Sequence, residues 1–414
     1  MSDLQPPRGT HDLLPEDQRR HRHVTETAHD IAALYGYAEI STPIFESTDV
    51  FSRTLGETSD VVTKEMYTFN DKKNRSLTLR PEGTAGVARA FISGLRSQPL
   101  PLKFYYQGPM FRYERAQKGR QRQFHQFGVE LLGVADALGD VETIAMAAHI
   151  LDRLGLAGDV TLQLNTLGDS ESRQAYNKKL VGYLGAHKAK LSEDSLSRLD
   201  RNPLRIFDSK DEGDREVIKD APLLSDHLNA ASTVFFEDVK AGLETAGIDF
   251  ELNPRLVRGL DYYCHTAFEF VTDTLGAQGA VVAGGRYDGL IEMMGGPPTP
   301  GIGWAAGVER LALMITAPPE PGRPIAIMPG GNHAKAEALA ITQRLRRAGF
   351  CIDLGFSGNL KKRLNRANKS NAVAAVILGD DELAKRAATV RDMETGEQTE
   401  VPLSSLEDHL ARYR

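Results

Sequence analysis

The side chains with the clearest potential for chemistry lie between Lys103 and Gly133, a stretch with the pattern of two strands joined by a turn near 116–119. Because strand side chains alternate between two faces, one face of this hairpin would carry three arginines, two carboxylates, an amide and a ring. Planar guanidinium groups suit a polyphosphate, and a ring among charges can stack on a flat base. Gly128 on the same face would let a bound group approach the backbone. The face comprises Arg112, Glu114, Arg120, Arg122, Phe124, Gln126 and Glu130.

The hairpin pattern alone does not decide the chemistry, because charged alternation is also typical of a solvated strand face. The sequence contains neither a G-x-x-x-x-G-K-[ST] loop nor a G-x-G-x-x-G loop, and the glycines of Gly301–Gly307 are spaced differently. A nucleotide such as ATP would therefore be held by arginines on a sheet.

Four further segments place polar groups beside glycine turns or helix starts. A strand-to-helix turn can present groups that bind an amine, and a helix start favours an anion. Each segment alone could be a plain turn or a capped helix, so their combination is the informative observation. They are Leu79–Phe91 with Glu82 and Thr84, Leu256–Phe270 with Arg258, Tyr262 and Tyr263, Gly284–Leu290 with Tyr287, and Gly301–Leu311 with Arg310.

The pattern of helices and strands that would position these side chains predicts an α+β domain over residues 1–320. Helices are expected at Glu16–Tyr35 and across Val141–Leu154, both followed by glycine. Strand-like stretches with short connections predict an antiparallel sheet with helices on one face. The helix-rich, charged region from about Asp169 to Asn253 is predicted to be a helical insertion. The expected strands are Lys103–Arg115, Arg120–Leu132, Thr161–Leu164 and Phe268–Thr272.

A linker is predicted at Thr316–Pro324, which has four prolines in nine residues. The residues after it predict a βαβαβ unit and therefore a small α/β domain over 325–414. From Gly322 onward there are 15 basic and 11 acidic residues, against 35 and 45 before it, which suggests a polyanionic partner for the second domain. The expected strands are Pro324–Met328, Cys351–Leu354 and Ala372–Leu378, and the helices His333–Ala348 and Asn359–Lys369.

Composition excludes several classes of protein. The 414 residues are 41% hydrophobic and 26% charged, as in soluble globular proteins of two or three domains. Cys264 and Cys351 cannot form a disulfide framework or a paired-cysteine zinc site, so no metal site built by the protein is predicted. No apolar stretch reaches the ~18 residues of a membrane span, and the N-terminus lacks a secretory apolar region. A reducing, cytoplasmic location is expected.

Together the motifs resemble the histidyl-tRNA synthetase family of bacterial type, a class II aminoacyl-tRNA synthetase family, over essentially the whole length. The class motifs alone would indicate only class II, whereas the RGLDYY and GGRYDGL peptides resemble signatures of the histidine-specific enzymes. The chain departs from the family pattern at Ala116 and Gln121 in the motif 2 loop and at Asn368. The matching segments are Arg8–Pro15, Ser41–Glu46 with the motif 1 Pro43, Phe111–Glu114 of motif 2, Gly307–Arg310 of motif 3, and the C-terminal anticodon-binding domain.

The resemblance implies a role for each site residue. Arg112 would hold the ATP α-phosphate, Arg120 and Arg310 the outer phosphates, Glu114 the adenine amino group and Phe124 the adenine ring. Glu82, Gly83, Thr84 and Gln126 would surround the α-amino group of histidine. Glu130, Tyr262, Tyr263 and Tyr287 would hold the imidazole. Arg258 would lie between the histidine carboxylate and the α-phosphate, so that Arg258, Arg112 and Arg310 are the expected catalytic residues.

The implied reaction joins L-histidine to tRNA(His) in two steps. The carboxylate attacks the α-phosphorus of ATP to give histidyl-adenylate and pyrophosphate, and the terminal ribose of the tRNA then takes the acyl group. A carboxylate is already nucleophilic, so this chemistry needs positioning and charge neutralisation by arginines and Mg²⁺ rather than a catalytic triad. The resemblance also implies a homodimer, and tRNA contacts by Lys361, Lys362, Arg363 and Arg366.

Two alternative interpretations belong to other functional classes. One is a synthetase-like paralogue that binds histidine and regulates histidine biosynthesis without charging tRNA. Such proteins typically lack the anticodon-binding domain and the phosphate-binding arginines, which this chain keeps. The other is a nucleic-acid-binding protein without catalysis, which would use the basic helix but would not explain the polar hairpin face.

Overall fold

The computed structural model describes residues 4–54, 61–117, 119–199, 202–257, 262–276, 279–331 and 333–414. The chain divides into two compact units, Met1–Pro319 and Glu320–Arg414. The break lies within the proline-rich segment at Thr316–Pro324, where a stiff chain without backbone donors favours a boundary.

The first unit alternates short strands with helices. Its helices are α1 Pro15–Leu34, α2 Thr48–Ser52, α3 Thr84–Ala90, α4 Ala137–Arg153, α5 Ser170–Ala186, α6 Glu193–Leu199, α7 Glu212–Lys219, α8 Ala230–Thr245, α9 Leu290–Met293 and α10 Val308–Met314. Its strands are β1 Ala38–Glu39, β2 Phe45–Ser47, β3 Tyr67–Asn70, β4 Ser76–Leu79, β5 Leu102–Phe111, β6 Gln123–Leu132, β7 Thr161–Thr166, β8 Glu251–Leu252, β9 Cys264–Val271, β10 Ala280–Arg286 and β11 Gly301–Gly307.

A large sheet organises this unit, with the strand order β1-β5-β6-β11-β10-β9-β7-β8 among the described residues. The strands from β5 to β7 pair antiparallel, while β1 and β8 add parallel edges. The predicted antiparallel α+β sheet is therefore confirmed, with parallel pairing only at its two edges. A small second sheet, β2-β4-β3, carries the turn that leads into α3.

Alternation along β6 separates the core from the opposite side of the sheet. Phe127, Val129 and Leu131 are buried in the main hydrophobic core, against α1 and α4. The even-numbered residues of the same strand must then face the other way. Arg112, Glu114 and Arg120, by contrast, lie beyond the strand ends, because β5 ends at Phe111 and β6 begins at Gln123.

Two glycine-rich segments, one predicted as a turn and the other as the approach to a helix, are largely strands. Gly284 and Gly285 lie within β10, and the glycines of 301–307 lie within β11. Close packing explains them: a Cβ at Gly284 would overlap the Gly303 carbonyl of the neighbouring strand, and a Cβ at Gly303 would overlap the Glu130 carboxyl group. Glycine here permits sheet packing rather than a loop around a phosphate.

The region between β7 and β8 builds a small hydrophobic core of its own. Tyr176, Leu180, Ile206 and Val217 are buried within it. Helix α8 belongs elsewhere, because it packs against α4 and contributes Val239 and Leu243 to the main core. The insertion over 169–253 stays a prediction, and this packing favours a unit that ends before α8.

The second unit is a three-layered α/β fold with the sheet order β13-β12-β14-β15-β16. The predicted βαβαβ unit is present and its three strands are parallel, while an antiparallel hairpin that the pattern did not indicate extends the sheet. In the described part of the chain, no helix has the length and apolar character needed to cross a membrane. The elements are β12 Ile325–Pro329, α11 Ala334–Arg347, β13 Ile352–Leu354, α12 Leu360–Lys369, β14 Ala374–Leu378, α13 Asp380–Ala384, β15 Ala387–Asp392, β16 Gln398–Pro402 and α14 Leu406–Leu410.

Candidate active site

A cleft of about 440 Å³ opens on the side of the large sheet to which the even-numbered residues of β6 point. Its walls come from the end of the β5–β6 hairpin, the start of α3, the strands β9 to β11 and the start of α10. Most side chains that the sequence predicted to form the site line this cleft. They are Glu82, Thr84, Arg112, Glu114, Arg120, Phe124, Gln126, Tyr262, Tyr263 and Arg310.

Glu82 anchors the start of α3 at one end of the cleft. Its two carboxylate oxygens accept the backbone N–H groups of Thr84, at 2.6 Å, and Ala85, at 2.8 Å. These groups have no partner within the helix, so the carboxylate satisfies them as a cap. Burial raises the pKa of Glu82, while the two amides oppose that shift. Glu82 is thus a buried carboxyl group with an edge towards the cleft.

Gln126 supplies an acceptor that the described protein residues leave unused. Its Oε1 atom is buried and has no hydrogen-bond partner among them. A buried acceptor without a partner costs about 1–3 kcal/mol, so a donor supplied by a ligand would be favourable there. Gln126 lines the cleft together with Glu82, Tyr262 and Tyr263.

Glu130 lies behind the wall of the cleft rather than in it. The hydroxyl group of Thr84 donates to its Oε1 at 2.6 Å, and the Tyr287 hydroxyl donates to its Oε2. The side chain is fully buried, and burial raises its pKa to about 8, against the opposing effect of these two donors. The protein itself therefore engages both oxygens of the carboxyl group that was predicted to bind the imidazole.

Tyr106 on β5 closes the floor of the site between two glycines. A Cβ at Gly83 would overlap its ring, and a Cβ at Gly128 would lie 2.5 Å from its hydroxyl oxygen. The group that approaches the backbone at Gly128 is thus a tyrosine of the same chain. Gly83 was predicted to lie beside the bound histidine, and close packing against Tyr106 also requires glycine at this position.

Three tyrosines form the aromatic wall at the end of the cleft near Gln126. The rings of Tyr262 and Tyr263 are 4.6 Å apart, and Tyr287 meets Tyr262 edge-on at 5.8 Å. All three are buried, and Tyr262 and Tyr263 reach the cleft. Because Tyr287 contacts the Tyr262 ring and donates to Glu130, it links the wall to the buried carboxyl group.

A buried ion pair fixes the start of this wall. Arg286 is fully buried and donates to Asp140 at the start of α4 and to Asp288 at 3.0 Å. Its remaining donors reach the carbonyl groups of Val134 and Asp136. Moving this guanidinium group away from a partner would leave a buried charge uncompensated, so Arg286 is fixed. Tyr287, the next residue in the chain, is thereby held in place.

Arg112, Arg120 and Arg310 make another part of the cleft cationic, which begins beside Glu82. Arg112 donates to the Pro81 carbonyl at 2.9 Å, and its guanidinium carbon lies 5.4 Å from the centre of the Phe124 ring. Arg120 pairs with Glu114 at 2.8 Å. Arg310, near the start of α10, is partly buried, and burial and the neighbouring Arg120 lower its pKa. The third arginine of the hairpin, Arg122, lies outside the cleft and stacks on Tyr113 at 3.8 Å.

Several residues of the site were not found from the sequence. Glu65, Arg205, Glu269 and Trp304 also line the cleft, and Tyr106 supports it. Glu269 alternates with buried residues on β9, which is the one signal that could have indicated it. Arg258, the expected catalytic residue, lies outside the described residues.

The predicted tRNA-binding residues lie on α12 of the second unit. Asn359 caps this helix by accepting the backbone N–H of Lys362 at 3.0 Å. Lys361 and Lys362 are exposed, Arg363 is half-buried, and Arg366 pairs with Asp353 at 3.2 Å. The helix thus presents cationic side chains in a form that suits a phosphate backbone.

Comparison with known proteins agrees with this geometry. A histidyl-tRNA synthetase family model matches residues 9–311, and an anticodon binding domain model matches residues 324–413. The chain is 60% identical over 414 residues to the histidine–tRNA ligase of Rhodospirillum rubrum, with 100% of each chain covered. It is 56% identical over 406 residues to that of Gluconobacter oxydans, which covers 98% of each chain.

A solved structure supports the same relationship. The apo histidyl-tRNA synthetase of Staphylococcus aureus superposes with a TM-score of 0.83 at 38% identity, over 98% of this chain and 99% of that one. The relatives are histidine–tRNA ligases along their full length, and the resemblance to a tRNA-charging enzyme is confirmed over the regulatory and non-catalytic alternatives. The chain belongs to the histidyl-tRNA synthetase family, which uses ATP to charge tRNA(His) with histidine through an adenylate.

Proposed function

We propose that the cleft on the large sheet is where histidine is activated, with ATP at its cationic end and histidine at its aromatic end. One observation carries this assignment: a single cleft joins three arginines to an unused buried acceptor and a tyrosine wall. The reaction needs the two binding surfaces to be adjacent, because the carboxylate of one bound substrate attacks the α-phosphorus of the other.

ATP is held by side chains rather than by a loop. Phe124 stacks on the adenine, Glu114 accepts from the adenine amino group, and Arg112 binds the α-phosphate. Arg120 and Arg310 neutralise the outer phosphates. The ion pair between Arg120 and Glu114, 2.8 Å apart, orients both side chains before the nucleotide binds. Arg120 then exchanges Glu114 for the phosphates.

Histidine enters with its ammonium group towards Gln126 and Glu82. The unused Gln126 Oε1 accepts one N–H, and Thr84 lines the cleft with Gly83 next to it in the chain. The imidazole lies against Tyr262 and Tyr263. One ring nitrogen donates to the Glu130 carboxyl group in place of the hydroxyl of Thr84, which lines the cleft, and the hydroxyl of Tyr262 serves the other.

The bond that forms joins a histidine carboxylate oxygen to the α-phosphorus, and the bond that breaks releases pyrophosphate. Charge on the α-phosphoryl oxygens is stabilised by Arg112, with Arg258 on the histidine side and Arg310 on the leaving group. In the second step the ribose hydroxyl of tRNA attacks the acyl carbon and AMP leaves with the bonding electrons.

Arg258→Ala is predicted to reduce adenylate formation by about 10²–10³, the usual effect of losing one preorganised donor to transition-state charge. The measurement is histidine-dependent ATP–pyrophosphate exchange on folded protein. Near-normal exchange would remove Arg258 from the catalytic residues.

Mg²⁺ would bind beside the ATP phosphates, where the cleft offers a suitable carboxylate ligand. Glu269 lines the cleft and lies close enough to Arg310 to influence its pKa, so a carboxylate stands at the phosphate end. Carboxylate and phosphate oxygens are the ligands that Mg²⁺ prefers. The ion would supply further neutralisation of the phosphates, and Glu269 would be its protein ligand.

The protein is proposed to act as a cytoplasmic homodimer joined through the segment around Pro43. Ile44, Phe45 and Phe69 are exposed apolar side chains there, and the rings of the two phenylalanines pack edge to face at 6.4 Å. Exposed apolar groups clustered on one sheet mark an interaction surface. Light scattering after size-exclusion chromatography should give twice the chain mass, and Phe45→Asp should give a monomer.

The assignment of the cleft is tested by pyrophosphate exchange with histidine and ATP varied separately. Arg310→Ala should impair the use of ATP and Gln126→Ala the use of histidine. A chain with Arg96→Ala is the matched control, because that arginine is exposed and is not among the residues that line the cleft. Equal losses for all three variants would contradict the division of the cleft into two ends.

A further inference from the structure

Three metal-binding side chains come together beside the cleft, although they are far apart in the sequence. His21 lies on α1, His125 on β6 and Glu309 on α10. One ligand atom from each lies within 4.8 Å of the others. The spacing of 21, 125 and 309 matches no short metal motif, so only the fold reveals the group.

The three groups are positioned by the protein rather than free at the surface. His21 and Glu309 are buried, and Glu309 accepts the backbone N–H of His125 with both oxygens at 2.9 Å. The Nδ1 atom of His125 lies 2.8 Å from Glu309 Oε1. The rings of His21 and His125 meet edge to face with their centres 5.7 Å apart.

We propose that His21, His125 and Glu309 form a binding site for a divalent metal ion of the zinc type. Two imidazoles and one carboxylate are a ligand set that Zn²⁺ accepts while it keeps a fourth position open. Bonds of about 2.0–2.1 Å place tetrahedral ligands roughly 3.3 Å apart. The separations here, from 2.8 Å to at most 4.8 Å, bracket that value.

The hydrogen bond between His125 Nδ1 and Glu309 Oε1, 2.8 Å long, is the contact that a bound ion would replace. An imidazole nitrogen binds a metal only when it carries no hydrogen, so His125 would bind through Nδ1 as the tautomer with its hydrogen on Nε2. The carboxylate retains the backbone amide of His125, because its two oxygens offer about four acceptor positions in total.

His21 and Glu309 also line a separate cavity of about 480 Å³, which supplies room for water or another ligand at a fourth position. Glu16 and Asp17 are acidic groups of this cavity that favour a cation, and Asp17 also favours positive charge on His21. Arg20 lines the cavity too and opposes a cation, but it pairs with Glu16 at 3.4 Å. Glu309 also lines the active-site cleft, so the metal would be coupled to the cleft through this side chain.

The test is binding of Co²⁺ and Zn²⁺ to the full chain, with Co²⁺ followed by its visible absorption and Zn²⁺ by calorimetry. One high-affinity equivalent is expected, with a Co²⁺ spectrum of low coordination number. His21→Ala and His21→Gln should raise the Kd by ~10-fold or more. His29→Ala, on the exposed part of the same helix, removes one histidine without touching the group and should bind normally.

A second readout guards against variants that fold poorly. One equivalent of Zn²⁺ should raise the melting temperature of the unchanged protein and of His29→Ala, but not of His21→Gln, since a ligand stabilises the state that binds it. Two results would overturn the proposal: no stoichiometric metal binding by the unchanged chain, or binding that both His21 variants retain. The group would then be a hydrogen-bonded histidine–glutamate pair only.

Discussion

Glu130 shows what burial does to a carboxyl group that is proposed to bind the substrate. Its oxygens are already engaged by Thr84 and Tyr287, and its pKa is raised to about 8 from an ordinary value of 4.5. Near neutral pH the folded protein therefore holds this carboxyl group largely protonated. A ring N–H from histidine would favour the ionised form, so the substrate and the proton compete for the same group.

The buried carboxyl group should make stability depend on pH. Between pH 4.5 and 8 the folded chain binds a proton at Glu130 that the unfolded chain has released. The unfolding free energy therefore falls as pH rises through this window, and Glu130→Gln removes that dependence. The melting temperature of Glu130→Gln relative to the unchanged protein should rise between pH 5 and pH 8. A constant difference across this range would place the pKa of Glu130 near its ordinary value.

Phe124 provides a test of the adenine position. Its ring lines the cleft beside Arg112, and stacking of aromatic groups contributes about 0.5–1.5 kcal/mol beyond area burial. Phe124→Ala should raise the KM for ATP roughly 2- to 12-fold and leave the KM for histidine unchanged. Phe356→Ala, whose ring is 71% exposed in the second unit, is the control for pyrophosphate exchange. A defect in histidine use alone would place the ring at the other substrate.

The side chains that share a face of β6 were predictable from the sequence. The period of two along β6 predicted that Phe124 and Gln126 share a surface and that Phe127 and Val129 do not, and the cleft and the core divide them in this way. The depth of Glu130 could not be predicted, because alternation gives the face of a side chain but not what covers it. Tyr106 was missed for a related reason, since its two glycine neighbours come from remote segments.

At the scale of elements, the packing of β5, β6 and β11 depends on residues without side chains. A Cβ at Gly128 would lie 2.5 Å from the Trp304 carbonyl oxygen and from the Tyr106 hydroxyl. The carbonyl belongs to the backbone of β11 and cannot move without disturbing its pairing with β6. Glycine at position 128 is therefore required both by the site, through Tyr106, and by the pairing of the sheet, through β11.

Gly128→Ala should destabilise the first unit by about 1–3 kcal/mol, the usual cost of overpacking, and weaken the use of histidine. Thermal unfolding and the KM for histidine measure the two effects. Gly182→Ala is the control, because Gly182 is an exposed position in α5 with no atoms near its would-be Cβ. That control should gain stability by up to ~1 kcal/mol, as expected for alanine in a helix. Similar losses in both variants would argue against the close approach.

The elements themselves were predictable to different degrees. The periodic helices α1 and α4 and the hairpin strands appear near their expected positions, since their apolar spacing reflects one buried face. The strands β10 and β11 were not predicted, because local propensity disfavours glycine in strands and only the neighbouring strands show why it is needed. Pairing between strands remote in sequence leaves no local signal.

For the whole molecule, the two units have separate hydrophobic cores. A chain ending at Pro319 should still form histidyl-adenylate but charge tRNA poorly, because it lacks the basic α12 helix. Pyrophosphate exchange and tRNA charging measured on the same preparation separate the two steps. Charging by the intact protein should also fall steeply with salt, since phosphate contacts release counterions. Equal charging by both chains would exclude an anticodon role for the second unit.

The position of β11 has a consequence for how the first unit can be synthesised. This strand lies between β6 and β10 in the sheet, yet it is the last of the unit's strands to leave the ribosome. Until it emerges, the sheet consists of two halves, and each exposes unpaired backbone groups along one edge. Such edges invite pairing with other chains, so the nascent protein passes through an aggregation-prone stage that ends only when this glycine-rich strand closes the gap. The residues that complete the cleft, from Trp304 to Arg310, arrive with it, and binding competence is therefore gained in one late step.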